Sequence, residues 1–156
     1  MKENIIKTIQ NQADELTTER RKIAALSSLA LIDFSAISLY QLGYIKSLPD
    51  LPGKIFDSNK VNASKDAVLM GLPDGVLSMG MYSLNLILAA AGSKGGEKRS
   101  FYDYLLAAVV VGQAGGAAHY LYNMAFVQKK VCPYCVLGAA INFISLRPLI
   151  KLFKKK

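Results

Sequence analysis

Lys129-Lys130-Val131-Cys132-Pro133-Tyr134-Cys135 runs without a break into the apolar stretch Val136-Leu137-Gly138-Ala139-Ala140-Ile141-Asn142-Phe143-Ile144. The chain has no other cysteine, and these two stand three residues apart where a hydrophobic helix begins. Positions i and i+3 share a helix face, so the sulfurs can close a disulfide or work as a thiol pair. The positive end of the helix dipole, the free amides of the first turn and the neighbouring Lys129 and Lys130 all favour thiolate. The same spacing also serves half of a zinc site, or two small apolar residues. Zinc needs two further ligands, and beyond the pair only His119 and carboxylates remain, so no metal site is expected.

The apolar run after Cys135 is one of four. Of the 156 residues 52% are hydrophobic, too many for a small soluble domain, and they concentrate at 22–45, 75–92, 104–126 and 131–149. Each stretch approaches the ~20 residues that cross a ~30 Å hydrocarbon core. The expected fold is all-α, an integral membrane bundle of four transmembrane helices with a long outer loop containing a short helix. Its expected divisions are a cytoplasmic N-terminal arm (1–22), the four-helix membrane domain (23–150) and a basic cytoplasmic tail (151–156).

The net charge of +8 suggests nucleic acid until its distribution is read. Of 19 Lys and Arg residues, 13 lie before the first span, between the second and third, or at the end of the fourth. By the positive-inside rule both termini are cytoplasmic, and CPYC with the 46–74 loop faces an oxidising outer space. No nucleic-acid partner is expected.

The arm carries Ile5, Ile6, Ile9 and Leu16 among charges, a weakly amphipathic pattern that reads as solvated or lying on the surface. Its long charged segment and the lack of an A-x-A end argue against a cleaved signal peptide, leaving the first span as an anchor. Asp33 sits at a depth where it must face the bundle interior, paired or protonated. Tyr40 and Tyr44 read as interfacial belt residues. In the outer loop, Pro49, Pro52 and Gly53 break structure early, and 65–70 reads as a short helix capped by Asn62 or Ser64. Gly71-Leu72-Pro73 then turns the chain into the second span. A loop this long reads as a lid over the outer mouth.

Spans two and three bury Ser78, Tyr82, Asn85, Gln113, His119 and Asn123. Ala108, Gly112 and Gly116 recur every fourth residue, a pattern that lets helices approach closely. At ~1.5 Å per residue, Tyr82, His119 and Asn123 fall about 7–13 Å below the outer surface and Cys135 about 6 Å, so they can converge. Asn85 and Gln113 read as interhelical glue. For His119 and Asn123, on one face one turn apart, glue and a ligand pocket both stay open.

Four spans, a long lid between the first two, Asn62-Ala63-Ser64, Gly71-Leu72-Pro73 before span two and CPYC opening span four together resemble the vitamin K epoxide reductase family in its bacterial form. The resemblance covers residues from about 22 to 150. It implies a quinone-linked membrane thiol-disulfide oxidoreductase with catalytic Cys132 and Cys135. The second cysteine of the motif would face the quinone and the first the incoming thiol. Ser64 matches a serine or threonine near the quinone, and with Tyr82, His119 and Asn123 it makes up the candidate pocket for menaquinone or ubiquinone. The implied partners are membrane lipid, the quinone and a thioredoxin-like periplasmic protein. The implied location is the bacterial inner membrane, multi-pass, with CPYC on the periplasmic side.

Two positions depart from the family pattern. The lid lacks the usual second cysteine pair, with Ser58 where one of those thiols would stand, and Ala139 replaces a tyrosine of the mammalian pattern. Electrons must then come directly from a partner at Cys132 or from a small thiol. The alternative is a non-catalytic protein of the same shape that binds quinone or lipid or scaffolds a partner, with CPYC as a structural disulfide.

Overall fold

A computed structural model describes residues 2–11 and 14–154. Lys155 and Lys156 of the expected tail, residues 1, 12 and 13 of the arm and the side chains of Lys2, Glu3 and Ile5 lie outside the described residues. The chain forms α1 (Lys2–Asn11), α2 (Glu15–Gln41), α3 (Ser58–Asn62), a 3-10 turn (Lys65–Ala67), a hairpin of β1 (Val68–Leu69) and β2 (Leu72–Pro73), α4 (Asp74–Ser93), α5 (Phe101–Tyr122) extended by a π-type turn (Asn123–Gln128), and α6 (Pro133–Lys154). The helices Glu15–Gln41, Asp74–Ser93, Phe101–Gln128 and Pro133–Lys154 are long and apolar enough to span a membrane. They pack in a ring, α2 on α4, α4 on α5, α5 on α6 and α6 back on α2.

The first span begins earlier than its hydropathy suggests. Asp14 caps α2 by accepting from the Thr17 amide at 2.9 Å, and Leu16, Thr17, Glu19 and Arg20 are all buried. The Arg20 guanidinium donates to both carboxylate oxygens of Asp103 at 2.8 Å, and to Gly96 O and Lys98 O at 3.0 and 3.1 Å. Residues 15–22 therefore belong to the bundle rather than to a solvated arm. Gly92 makes room for this pair, since a Cβ there would stand 2.8 Å from Asp103 Oδ1.

Apolar contacts fill the rest of the ring in three groups. Leu16, Ile23, Leu88, Leu106 and Leu152 pack at the end that holds Arg20; Ala30, Tyr82 and Ile141 pack midway; Ile37, Val61, Met124, Cys132 and Cys135 pack at the other end. Asn85 joins three helices, donating to Ser27 Oγ at 3.3 Å and Gln113 Oε1 at 2.8 Å. The Gly112 and Gly116 stripe does not pack helix on helix, because a Cβ at either position would meet nothing within 4 Å. Both glycines instead border a cavity.

The lid also differs from its sequence reading. Its helix is Ser58–Asn62, capped by Asp57, while 65–67 forms only a 3-10 turn and 68–73 an extended hairpin. Met70 and Gly71 take left-handed backbone angles, φ 53° and 81°, which suits a tight two-residue hairpin turn and ends any helix. The lid is fastened to the segment before α6. Val131 N donates to Ile55 O at 2.9 Å, Asp57 N to Val131 O at 3.1 Å, and Tyr134 OH to Pro49 O at 3.0 Å.

Candidate functional site

Cys132 occupies the N-cap position of α6 and Pro133 its first turn, where a missing amide costs nothing. The Cys132 sulfur accepts from the Cys135 amide at 3.2 Å, as a serine or aspartate cap would, and Val136 N donates to Cys132 O at 3.0 Å. The helix start therefore holds both side chains on one face. They are free thiols here, Cys132 fully enclosed and Cys135 8% exposed. Above them Asn62 of α3 donates to Cys132 Sγ at 3.2 Å and accepts from Cys135 Sγ at 3.7 Å.

Cys132 lies one residue outside the Pro133–Lys154 span, and its thiol is drawn below the ordinary thiol range. The Cys135 side chain contributes most. Burial opposes the shift, and the Cys135 amide, Ser58 and Asn62 add to it. The Ser58 hydroxyl proton itself goes to Asp50 Oδ1 at 2.6 Å, and its amide to Asp50 Oδ2 at 2.8 Å. The lid thus carries a buried serine fastened to an aspartate.

Cys135, and not Cys132, borders a half-open cavity of about 580 Å³ between α2, α4, α5, α6 and the lid. Phe34, Leu77, Met81, Val68 and Leu69 make its walls largely apolar, and Tyr82, His119, Tyr120, Asn123 and Asp74 supply polar groups. An apolar chamber with a few polar groups beside a thiol suits a flat, hydrophobic ring bearing acceptor oxygens. The polar groups are not equivalent. The Tyr82 hydroxyl is committed to Asn142 Oδ1 at 2.9 Å. His119 is exposed and faces the Asn123 amide at 3.3 Å. The Tyr120 hydroxyl is buried beside the Asp74 carboxylate, with no hydrogen bond of normal length among the described residues.

Of the residues singled out from sequence, Cys135, Tyr82, His119 and Asn123 border this one cavity. Ser64 does not. Its hydroxyl donates to Val61 O at 2.7 Å and accepts from Gln128 at 3.1 Å, which turns it toward a second groove beside Tyr40, Gln41 and Asn62. Sequence reasoning missed Tyr120, Asp74 and the role of Asn62. Tyr120 adjoins His119 in a membrane span, a signal that was readable. Asp74 borders the cavity and accepts from Gln41 Nε2 at 2.6 Å, a contact no local pattern announces. Asp33 faces the interior as expected, 7% exposed, with its Oδ2 unpartnered among the described residues.

Four helices long and apolar enough to span a membrane, with a cysteine pair at the head of the last, define a multi-pass membrane protein. The chain belongs to the vitamin K epoxide reductase family, whose model matches residues 22–147. No curated protein matches it. The family is generally one of quinone-associated membrane oxidoreductases.

Proposed function

We propose that the chain is a quinone-linked thiol-disulfide oxidoreductase that passes electrons from protein or small thiols through Cys132 and Cys135 to a quinone. The observation that carries this is the asymmetry of the pair. Cys135 borders the apolar cavity, while Cys132 sits behind it under the lid. The residues that fit the quinone ring are Tyr120, Asn123 and His119 at the polar end, with Phe34, Leu77 and Met81 along the faces. When bound, the quinone supplies an acceptor of two electrons and two protons.

The chain's own part runs as follows. A substrate thiolate attacks Cys132 Sγ of the oxidised pair, the bond between Cys132 and Cys135 breaks, and Cys135 leaves as a thiolate that takes up a proton from water. The second substrate thiolate attacks the substrate sulfur of the mixed disulfide, which releases Cys132 and the oxidised substrate. The reduced pair then gives two electrons and the Cys135 proton to the acceptor side as the disulfide reforms, with the second proton drawn from water. Because Cys132 is enclosed, the lid has to lift for the first attack. We place this chemistry at the periplasmic face of the inner membrane, with both termini cytoplasmic and a thioredoxin-like protein or a small dithiol as donor.

One observation favours the non-catalytic alternative. Cys132 has no exposed surface and the lid carries Ser58 in place of a relay thiol, as suits a structural bridge. Turnover separates the two. The purified protein in lipid, given a dithiol and a soluble quinone, should reduce the quinone, and Cys135→Ala and Cys132→Ala should each abolish this. No turnover by the unaltered protein supports the structural reading.

A further inference from the structure

Asn62 is 3% exposed and binds both sulfurs at once. Its Nδ2 donates to Ser58 O at 2.8 Å and to Cys132 Sγ at 3.2 Å; its Oδ1 accepts from Cys135 Sγ at 3.7 Å. The orientation of the amide is not arbitrary. Ser58 O is a carbonyl and only accepts, so the atom facing it must be the NH2 group, which leaves the oxygen for Cys135. The residue cannot drift, because Gln41 of α2 donates to its backbone carbonyl at 3.2 Å. A donor is thereby fixed on one sulfur and an acceptor on the other.

We propose that Asn62 is the positioning residue that makes the two sulfurs chemically unequal, holding negative charge on Cys132 and the proton on Cys135. The inference rests on the thiol-exchange reading above for its use, though not for its test. In the release step the second substrate thiol, having lost its proton to water, attacks the substrate sulfur of the mixed disulfide. The bond to Cys132 breaks, the substrate disulfide forms, and the electron pair stays on Cys132 Sγ, where Asn62 Nδ2 and the Cys135 amide receive it. A better-stabilised thiolate leaves faster, so Asn62 directs the break toward Cys132. Cys135 keeps its proton against Asn62 Oδ1, on the side of the cavity where the acceptor takes it up. The titratable groups facing the pair are Asp33 of α2, Asp74 of α4, Tyr120 of α5 and Tyr134 of α6, and none of them supplies this donor and acceptor together.

The test is the pH dependence of alkylation by iodoacetamide, read separately at Cys132 and Cys135 by peptide mass, in the full-length reduced protein in lipid. The unaltered protein is compared with Asn62→Leu and Asn62→Asp, each checked for helical content. Alkylation of enclosed Cys132 scales with lid opening and with the thiolate fraction, and only the second sets the midpoint. Losing a hydrogen bond to a charged group should raise the Cys132 midpoint by about one to two pH units in Asn62→Leu. Asn62→Asp, which keeps the shape but loses the donor, should raise it at least as far. A folded variant with an unmoved midpoint overturns the proposal. So does alkylation that is faster at every pH with an unmoved midpoint, which marks a merely loosened lid. A moved midpoint in a protein that shows no dithiol-to-quinone turnover supports the role of Asn62 and overturns the oxidoreductase reading instead.

Discussion

Arg20 and Asp103 form a bidentate ion pair, both contacts at 2.8 Å, with neither side chain exposed. The pair ties the start of α2 to the start of α5, and Ser100 N adds a third contact to Asp103 at 2.7 Å. Removing one partner leaves the other charge buried and alone, at a typical cost of about 3–5 kcal/mol. Arg20→Ala and Asp103→Ala should therefore unfold in detergent far more readily than the parent, as followed by loss of helical signal. Replacing both with apolar residues of similar volume should recover much of the loss. A single variant with unchanged stability contradicts this.

Gly138 stands one turn below Cys135, and a Cβ there would lie 2.7 Å from the Phe34 ring. Phe34 borders the cavity and packs against Tyr82 at a centroid distance of 5.5 Å. Gly138→Ala should force the ring to move, at about 1–3 kcal/mol of overpacking, and should weaken quinone binding several-fold. Equilibrium binding of a soluble quinone checks it.

Two tyrosines on the same cavity should respond in opposite ways to loss of their hydroxyls. The Tyr82 hydroxyl is spent on Asn142, so Tyr82→Phe should cost about 1 kcal/mol of stability and leave quinone affinity near that of the parent. The Tyr120 hydroxyl lies beside the Asp74 carboxylate without a hydrogen bond of normal length, so Tyr120→Phe should leave stability near that of the parent and lower quinone affinity about tenfold. Thermal unfolding and binding, measured on the same two variants, decide it.

Ser64 supplies a control. Its hydroxyl faces Val61 O and Gln128 rather than the cavity, so Ser64→Ala should change quinone affinity less than about twofold. A tenfold loss would return Ser64 to the binding site.

The four spans and the CPYC pair were legible because they are local properties. A run of about 20 apolar residues has one stable solution in lipid, and two cysteines three apart at a helix start must share a face. What escaped depends on how distant segments meet. Arg20 reads as one more positive charge at a membrane edge until Asp103, far along the chain, is brought against it. Gly112 and Gly116 carry a packing signature, yet the partner surface they imply is replaced by open space. Asn62 reads as a cap for residues 65–70, but the lid folds back and places it over Cys132, 70 positions away. Ser64, two residues further on, is turned aside by the same fold.

The central claim is that the thiol pair gives its electrons to a quinone held in the adjoining cavity. Its most direct measurement is a single turnover: reduced protein in lipid, mixed without oxygen with one equivalent of quinone, then trapped with a thiol reagent. Both thiols should disappear together, with a Cys132–Cys135 disulfide and one quinol formed per chain, and Cys135→Ala should form no quinol. Two persistent thiols beside a bound, unreduced quinone would contradict it.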